Sequence, residues 1–138
     1  MIAVDTNVIA SLLLPTSRLT TAAGNLLRAD REWVAPVLWR SEMTNILATG
    51  VRNGWFDLDQ ALEALATAEE LMDGGDYQVP AAEVLRLAAS SGCTAYDCEF
   101  AVLAGDLDVK LVTTDRQLLE AFPEITLPLS DVDPARPT

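Results

Sequence analysis

Residues 2–9 read IAVDTNVI, and this segment is the strongest indication of the fold. Its first three residues form an apolar run, which predicts a short buried strand. The run stops at Asp5, and an apolar helical segment then opens at Thr6-Asn7 and ends at Pro15. Residues 110–115, KLVTTD, repeat this arrangement, because Asp115 also follows an apolar strand. The sequence therefore predicts two strands that each end in a carboxylate.

Further short strands alternate with helical segments along the chain. This alternation favours an α/β fold with a short, mostly parallel sheet and helices on both faces. In such sheets ligands bind beyond the carboxyl ends of the strands, so Asp5 and Asp115 are expected to face one cleft. We expect a single domain over residues 1–130, followed by a flexible tail at 131–138 that is rich in proline and charge.

The composition excludes several kinds of chemistry. The 138 residues include 9 Lys or Arg, 21 Asp or Glu and no histidine, which gives a net charge of −12. Imidazole-based triads and zinc sites are therefore excluded, and the basic surface typical of nucleic-acid binding by charge alone is missing. The chain has no apolar run of membrane-spanning length, no basic segment before an apolar one, and only Cys93 and Cys98 as thiols. We therefore expect a cytoplasmic protein that does not bind a membrane.

Two further acids share the unusual placement of Asp5 and Asp115. Asp97 lies in the first turn of an otherwise apolar helix, and Glu42 lies in a helix among apolar residues. Four clustered carboxylates repel one another, and a divalent cation removes that cost. Hard oxygen ligands without His or thiolate favour Mg²⁺ or Mn²⁺, so we expect metal-assisted hydrolysis of a phosphodiester. Each acid taken singly also suits a structural role, as a helix cap or a solvated surface residue.

Polar neighbours of the strand-end acids are candidate supporting groups. Thr6, Asn7 and Thr114 flank Asp5 and Asp115, where they could orient the carboxylates. Thr6 or Asn7 also suits the simpler role of capping the first helix.

Arginines and aromatic residues are candidates for contacts with partners. Arg116, Arg18 and Arg40 are candidates to bind RNA phosphates or a partner's carboxylates, and ordinary surface ion pairs are the alternative. Four aromatic residues could stack on bases or pack in the core or at a dimer interface, namely Trp33, Trp39, Trp55 and Phe56. The helical hairpin over residues 36–72 is a candidate surface for a dimer or a partner.

Four segments in this order resemble the motifs of PIN-domain ribonucleases. They are residues 2–9 (IAVDTNVI), 41–47 (SEMTNIL), 94–104 (TAYDCEFAVLA) and 111–116 (LVTTDR). The resemblance runs from Met1 to about Leu129. In size and motif wording the chain is most similar to the VapC-type toxins of bacterial toxin–antitoxin pairs.

This resemblance implies a three-layer α/β/α PIN-like domain with Mg²⁺- or Mn²⁺-dependent endoribonuclease activity. It implies structured RNA such as tRNA or ribosomal RNA as the substrate, a homodimer, and inhibition by a small antitoxin. It assigns Asp5, Glu42, Asp97 and Asp115 as metal-binding catalytic acids. Glu99 lies two residues from Asp97, about 200° around the helix, and is an uncertain fifth acid.

Two other functions are compatible with the sequence. A PIN-like module could bind RNA or a protein without cutting. An aspartyl-phosphate phosphatase or receiver domain also uses acids at strand ends, but the phosphatase would place Asp where this chain has Asn7. A receiver would need a lysine after its last strands, whereas Lys110 begins one.

Overall fold

Short apolar segments form the centre of a parallel sheet. The computed structural model describes residues 1–15 and 17–131. β1 (Ile2–Val4), β2 (Trp33–Pro36) and β4 (Leu111–Thr113) consist entirely of buried residues. β3 (Asp76–Tyr77) and β5 (Thr126–Pro128) form the edges of the sheet. The order is β3-β2-β1-β4-β5, and each neighbouring pair is parallel.

Helices cover both faces of this sheet, which confirms the expected three-layer α/β/α fold. The described helices are α1 (Thr6–Leu13), α2 (Thr20–Ala29), α3 (Trp39–Arg52), α4 (Leu58–Leu71), α5 (Ala81–Ser91), α6 (Ala95–Leu107) and α7 (Arg116–Ala121). α1 packs with α2, α3 and α4, whereas α6 packs on β1, β2 and β4 and is covered by α5. Because α6 is buried around most of its surface, its sequence is apolar rather than amphipathic.

The α3–α4 hairpin is shaped by one glycine. A Cβ on Gly50 would lie 2.1 Å from the ring of Phe56, so only glycine lets that ring pack against α3. Phe56 is therefore buried, whereas the neighbouring Trp55 is 58% exposed. α4 then begins with a capping box in which Asp57 and Gln60 satisfy each other's backbone N–H groups.

Several predicted element boundaries are wrong. Pro36 is the last residue of β2 rather than the first residue of α3. Its missing N–H is tolerated because the pairing of β2 with β1 extends only to Val34. Ser17 is of a residue type that caps helices, but α2 begins at Thr20. Gly105 is of a residue type that ends helices, but α6 continues through it to Leu107.

Two further expectations concern the cysteines and the ends of the domain. Cys93 and Cys98 are buried and free, as expected. A 3₁₀ turn over Leu129–Asp131 closes the described chain, and the remainder of the expected tail, 132–138, lies outside the described residues. None of the described helices combines the length and the apolar composition that a membrane span requires.

Candidate active site

The four predicted acids lie in one cleft at the carboxyl edge of the sheet. Asp5 follows β1 and Asp115 follows β4, whereas Glu42 comes from α3 and Asp97 from α6. The cleft has a volume of about 400 Å³. Its lining consists of Asp5, Thr6, Asn7, Leu38, Ser41, Glu42, Asn45, Ile46, Tyr96, Asp97 and Asp115. Segments far apart in sequence thus supply one site, as the parallel topology predicts.

Asp5 is the most constrained of these acids, since it is only 6% exposed. One carboxylate oxygen, Oδ1, accepts the backbone N–H of Thr6 at 2.8 Å, so Asp5 itself caps α1. The other oxygen, Oδ2, accepts the hydroxyl of Thr113 at 2.7 Å. The expected capping by Thr6 or Asn7 is therefore wrong, and Asp5 is held in one orientation by both of its oxygens.

Thr113 is the supporting residue that the sequence interpretation missed. Its buried hydroxyl donates to Asp5 and accepts the backbone N–H of Asp115 at 2.9 Å, so it links both strand-end acids. The sequence interpretation chose its neighbour Thr114, which is half-buried and does not line the cleft. The sequence indicates a threonine at this strand end, but only the structure shows which of the two hydroxyls reaches Asp5.

Glu42 is oriented by Thr6, as proposed for that threonine. The Thr6 hydroxyl donates to Oε1 of Glu42 at 2.8 Å. This bond joins the first turn of α3 to the first turn of α1. Asn7 lines the cleft with an exposed side chain, where its amide is accessible from solvent.

Asp97 and Asp115 lie at two helix N-termini that open into the cleft. Asp97 is in the first turn of α6, and its backbone N–H donates to the capping hydroxyl of Thr94 at 3.1 Å. Asp115 caps α7 through a 2.8 Å bond from the backbone N–H of Gln117 to its Oδ1. Positive helix ends stabilise both carboxylates. Capping and a role in the cleft are therefore compatible.

Burial and mutual repulsion make three of the acids harder to ionise. Desolvation is the main cause that raises the pKa of Asp5, and the charges of Asp97 and Asp115 add to it. Desolvation also raises the pKa of Glu42 and of Asp97, with further contributions from neighbouring acids. Glu99 is one of the charges that raise the pKa of Glu42, although it does not line the cleft. A bound cation would relieve this repulsion.

The donor atoms of the cleft suit a hard divalent cation. All four acids, the hydroxyls and the Asn amides offer oxygen, which Mg²⁺ and Mn²⁺ prefer. Among the described residues, no three His, Cys, Asp or Glu side chains are grouped so that they could hold a metal ion as they stand. Mg²⁺ usually binds through one or two carboxylates and retains several waters, so it does not require such a group. The oxygen donors of the cleft are therefore of the type that Mg²⁺ and Mn²⁺ prefer.

The three proposed arginine contacts differ in accessibility. Arg40 forms ion pairs with Glu69 at 3.0 Å and with Asp76 at 2.9 Å, and its guanidinium lies over the ring of Trp39. Its side chain is thus already engaged away from the cleft. Arg18 and Arg116 are both exposed, and Arg116 begins α7 directly after Asp115. Of the three, only Arg116 directly follows an acid of the cleft in the chain.

The aromatic residues singled out in the sequence do not line the cleft. Trp33, Trp39 and Phe56 are buried, and Trp55 lies at the α3–α4 turn. The aromatic residue that does line the cleft is Tyr96, which is 63% exposed. The sequence interpretation missed Tyr96, although its position next to Asp97 was a usable signal.

Comparisons with known proteins agree with this architecture. The family model described as PIN domain matches residues 2–123. Ribonuclease VapC3 of Pyrobaculum aerophilum is 32% identical over 128 residues, which are 91% of this chain and 97% of that protein. The crystal structure of PAE2754 from Pyrobaculum aerophilum superposes with a TM-score of 0.72 at 28% identity, covering 90% of this chain and 81% of that one.

Proposed function

The chain belongs to the PIN domain family, and from this premise we propose that it is a divalent-metal-dependent endoribonuclease of the VapC type. The name of its relative, Ribonuclease VapC3, supports the substrate class. The single observation that carries the proposal is the convergence of Asp5, Glu42, Asp97 and Asp115 in one cleft.

In the proposed reaction a water attacks the scissile phosphate and the ribose oxygen leaves. Mg²⁺ or Mn²⁺ held by one or two of the four acids would neutralise phosphate charge and make the attacking water more acidic. Asp5 provides a fixed carboxylate, because Thr113 and the Thr6 backbone hold both of its oxygens. Asp97, Asp115 and Glu42 line the same cleft and are half-buried, so they are more accessible to substrate than Asp5.

The hydrolysis step itself does not distinguish RNA from DNA. Attack by water on phosphorus does not require a 2′-hydroxyl, so shape and contacts around the cleft distinguish RNA from DNA. Exposed Asn7, Ser41 and Asn45 line the cleft and can donate hydrogen bonds to a 2′-hydroxyl or a base. We propose a structured RNA such as tRNA or ribosomal RNA as the target.

We further propose a cytoplasmic homodimer that a small antitoxin neutralises. The α3–α4 hairpin supports this because Trp55, Leu58 and Leu62 are all more than half exposed there. Together these side chains offer an apolar surface that suits a protein partner.

The aspartyl-phosphate alternative is disfavoured by the geometry of Asp5. A phosphate-accepting carboxylate needs a free oxygen that solvent and substrate can reach. Asp5 is 6% exposed, and both of its oxygens accept hydrogen bonds. A PIN-like module that binds without cutting is an outcome that the following assay distinguishes.

The test is RNA cleavage by the purified chain with Mg²⁺ or Mn²⁺, compared with EDTA. We expect cleavage only with the metal, and a loss of at least about 100-fold in Asp97→Asn, since a directly acting carboxylate is worth several kcal/mol. Glu120→Gln is the matched control, because Glu120 is exposed on α7 and does not line the cleft. Equal activity in EDTA, or in Asp97→Asn, would contradict the proposal.

A further inference from the structure

The cleft combines an acidic floor with an apolar rim. Leu38 and Ile46 line it from the α3 side, and Tyr96 lines it from α6. Tyr96 is 63% exposed, so its ring contributes little to the core. The rim therefore presents apolar surface directly beside the carboxylates.

The charges near the cleft are poorly suited to holding an RNA backbone. None of the described residues that line the cleft is Lys or Arg. The whole chain has only 9 basic residues against 21 acidic ones, and Arg40 is engaged with Glu69 and Asp76. Backbone phosphates supply most of the affinity in ordinary nucleic-acid binding through Lys and Arg. This protein must therefore draw a larger share of its affinity from uncharged contacts.

We propose that the cleft binds one unpaired nucleotide beside the scissile phosphate, with its base stacked on Tyr96. This inference rests on the proposed function and names the feature of the RNA that the site recognises. Stacking on an aromatic ring requires no positive charge and tolerates every base, because each base has a π-face. A base within a duplex is already stacked on its neighbours, so the contact selects loops, bulges and single strands.

The position of Tyr96 supports its choice over the other aromatic residues. It precedes Asp97 in the first turn of α6, so a base on its ring lies next to the carboxylates. Trp55 is as accessible but lies at the α3–α4 turn, outside the cleft lining. Leu38 and Ile46 are half-buried and can contact the opposite face or edge of the same base.

The test measures binding of a labelled, unpaired oligoribonucleotide by fluorescence anisotropy with Ca²⁺ in place of Mg²⁺, an ion that also binds oxygen ligands, and the oligomer is checked to be intact after each measurement so that the readout does not depend on cleavage. We expect Tyr96→Ala to raise the dissociation constant about 5- to 150-fold, the range that corresponds to one lost base stack. Tyr96→Phe and Tyr96→Trp are expected to bind like the wild type, because they keep the ring. Leu85→Ala is the control, an exposed large apolar side chain on α5 outside the cleft, and is expected to bind RNA unchanged.

A second ligand identifies the contact as stacking. On an oligomer of the same length with the sugar–phosphate backbone but no bases, Tyr96→Ala and wild type are expected to bind equally. The inference is overturned if Tyr96→Ala binds the oligoribonucleotide as the wild type does, if Tyr96→Phe is as weak as Tyr96→Ala, or if the loss persists on the base-free oligomer. A wild-type protein that never cleaves RNA would refute the proposed function alone, because the binding ratios are read without cleavage.

Discussion

Replacing Thr113 with valine tests whether its hydroxyl holds the site together. Valine has nearly the same shape, so the core stays filled while two hydrogen bonds are lost. One bond reaches the Asp5 carboxylate at 2.7 Å and the other comes from the backbone N–H of Asp115 at 2.9 Å. Hydrogen bonds to a charged group contribute about 1.5–3 kcal/mol, and a neutral bond contributes about 1 kcal/mol. We therefore expect Thr113→Val to lower the free energy of unfolding by about 3 kcal/mol at neutral pH.

The change of this stability loss with pH identifies the bond to Asp5 more specifically than the size of the loss does. The Thr113 bond lowers the pKa of Asp5 against the larger effect of burial, which raises it. Without that bond the Asp5 carboxyl protonates more readily. The missing donor costs less stability when this carboxyl is neutral than when it is charged. The destabilisation is therefore expected to shrink by about 1 kcal/mol as the pH falls towards the ordinary pKa of Asp.

Urea unfolding in EDTA, followed by circular dichroism across this pH range, measures the effect. Thr126→Val is the matched control, because Thr126 is also buried and donates to a neutral acceptor, the Phe122 carbonyl, at 2.7 Å. The control is expected to lose about 1 kcal/mol at every pH. Equal losses in both variants, or a Thr113→Val loss that does not change with pH, would show that the Thr113 hydroxyl does not hold the Asp5 carboxylate.

Four further predictions concern stability, metal binding, packing and RNA binding. Asp5, Glu42 and Asp97 have a higher pKa in the folded protein than in the unfolded chain, so between these two values the folded protein binds more protons. In EDTA the free energy of unfolding should therefore fall as the pH rises through this range. Urea titrations at several pH values measure it. Mg²⁺ or Mn²⁺ should raise the melting temperature, more strongly at neutral than at acidic pH; equal effects at both would contradict this. Gly50→Ala should cost about 1–3 kcal/mol, because its methyl group would displace the Phe56 ring; an unchanged urea midpoint would show that the ring moves freely. Arg116→Ala should raise KM for RNA several-fold and leave the melting temperature unchanged. Arg18 is also exposed but does not adjoin Asp115, so Arg18→Ala should raise KM less.

Much of the fold could be predicted from local sequence signals. Apolar runs that end in Asp5 and Asp115 identify two buried strands, and parallel topology brings their ends together. Thr94 is of a residue type that favours helix N-caps, and it does cap α6. Such signals are local, so a single sequence contains them.

The errors concern contacts between distant segments. Pro36 has the sequence signature of a helix start, and only the pairing of β2 with its neighbours shows that it ends a strand. Thr113 and Thr114 are indistinguishable in sequence, because which hydroxyl points to Asp5 depends on strand orientation. Arg40 is engaged by two acids more than 25 positions away in the chain.

The proposed activity requires the four-carboxylate cleft to bind a divalent cation and to cut RNA with it. The most direct test titrates Mn²⁺ into the wild type and Asp97→Asn, following bound Mn²⁺ by electron paramagnetic resonance and RNA cleavage in the same samples. We predict that wild-type cleavage rises in proportion to bound Mn²⁺ and that Asp97→Asn loses both together. Cleavage without bound Mn²⁺, or unchanged Mn²⁺ binding and cleavage in Asp97→Asn, would contradict the claim.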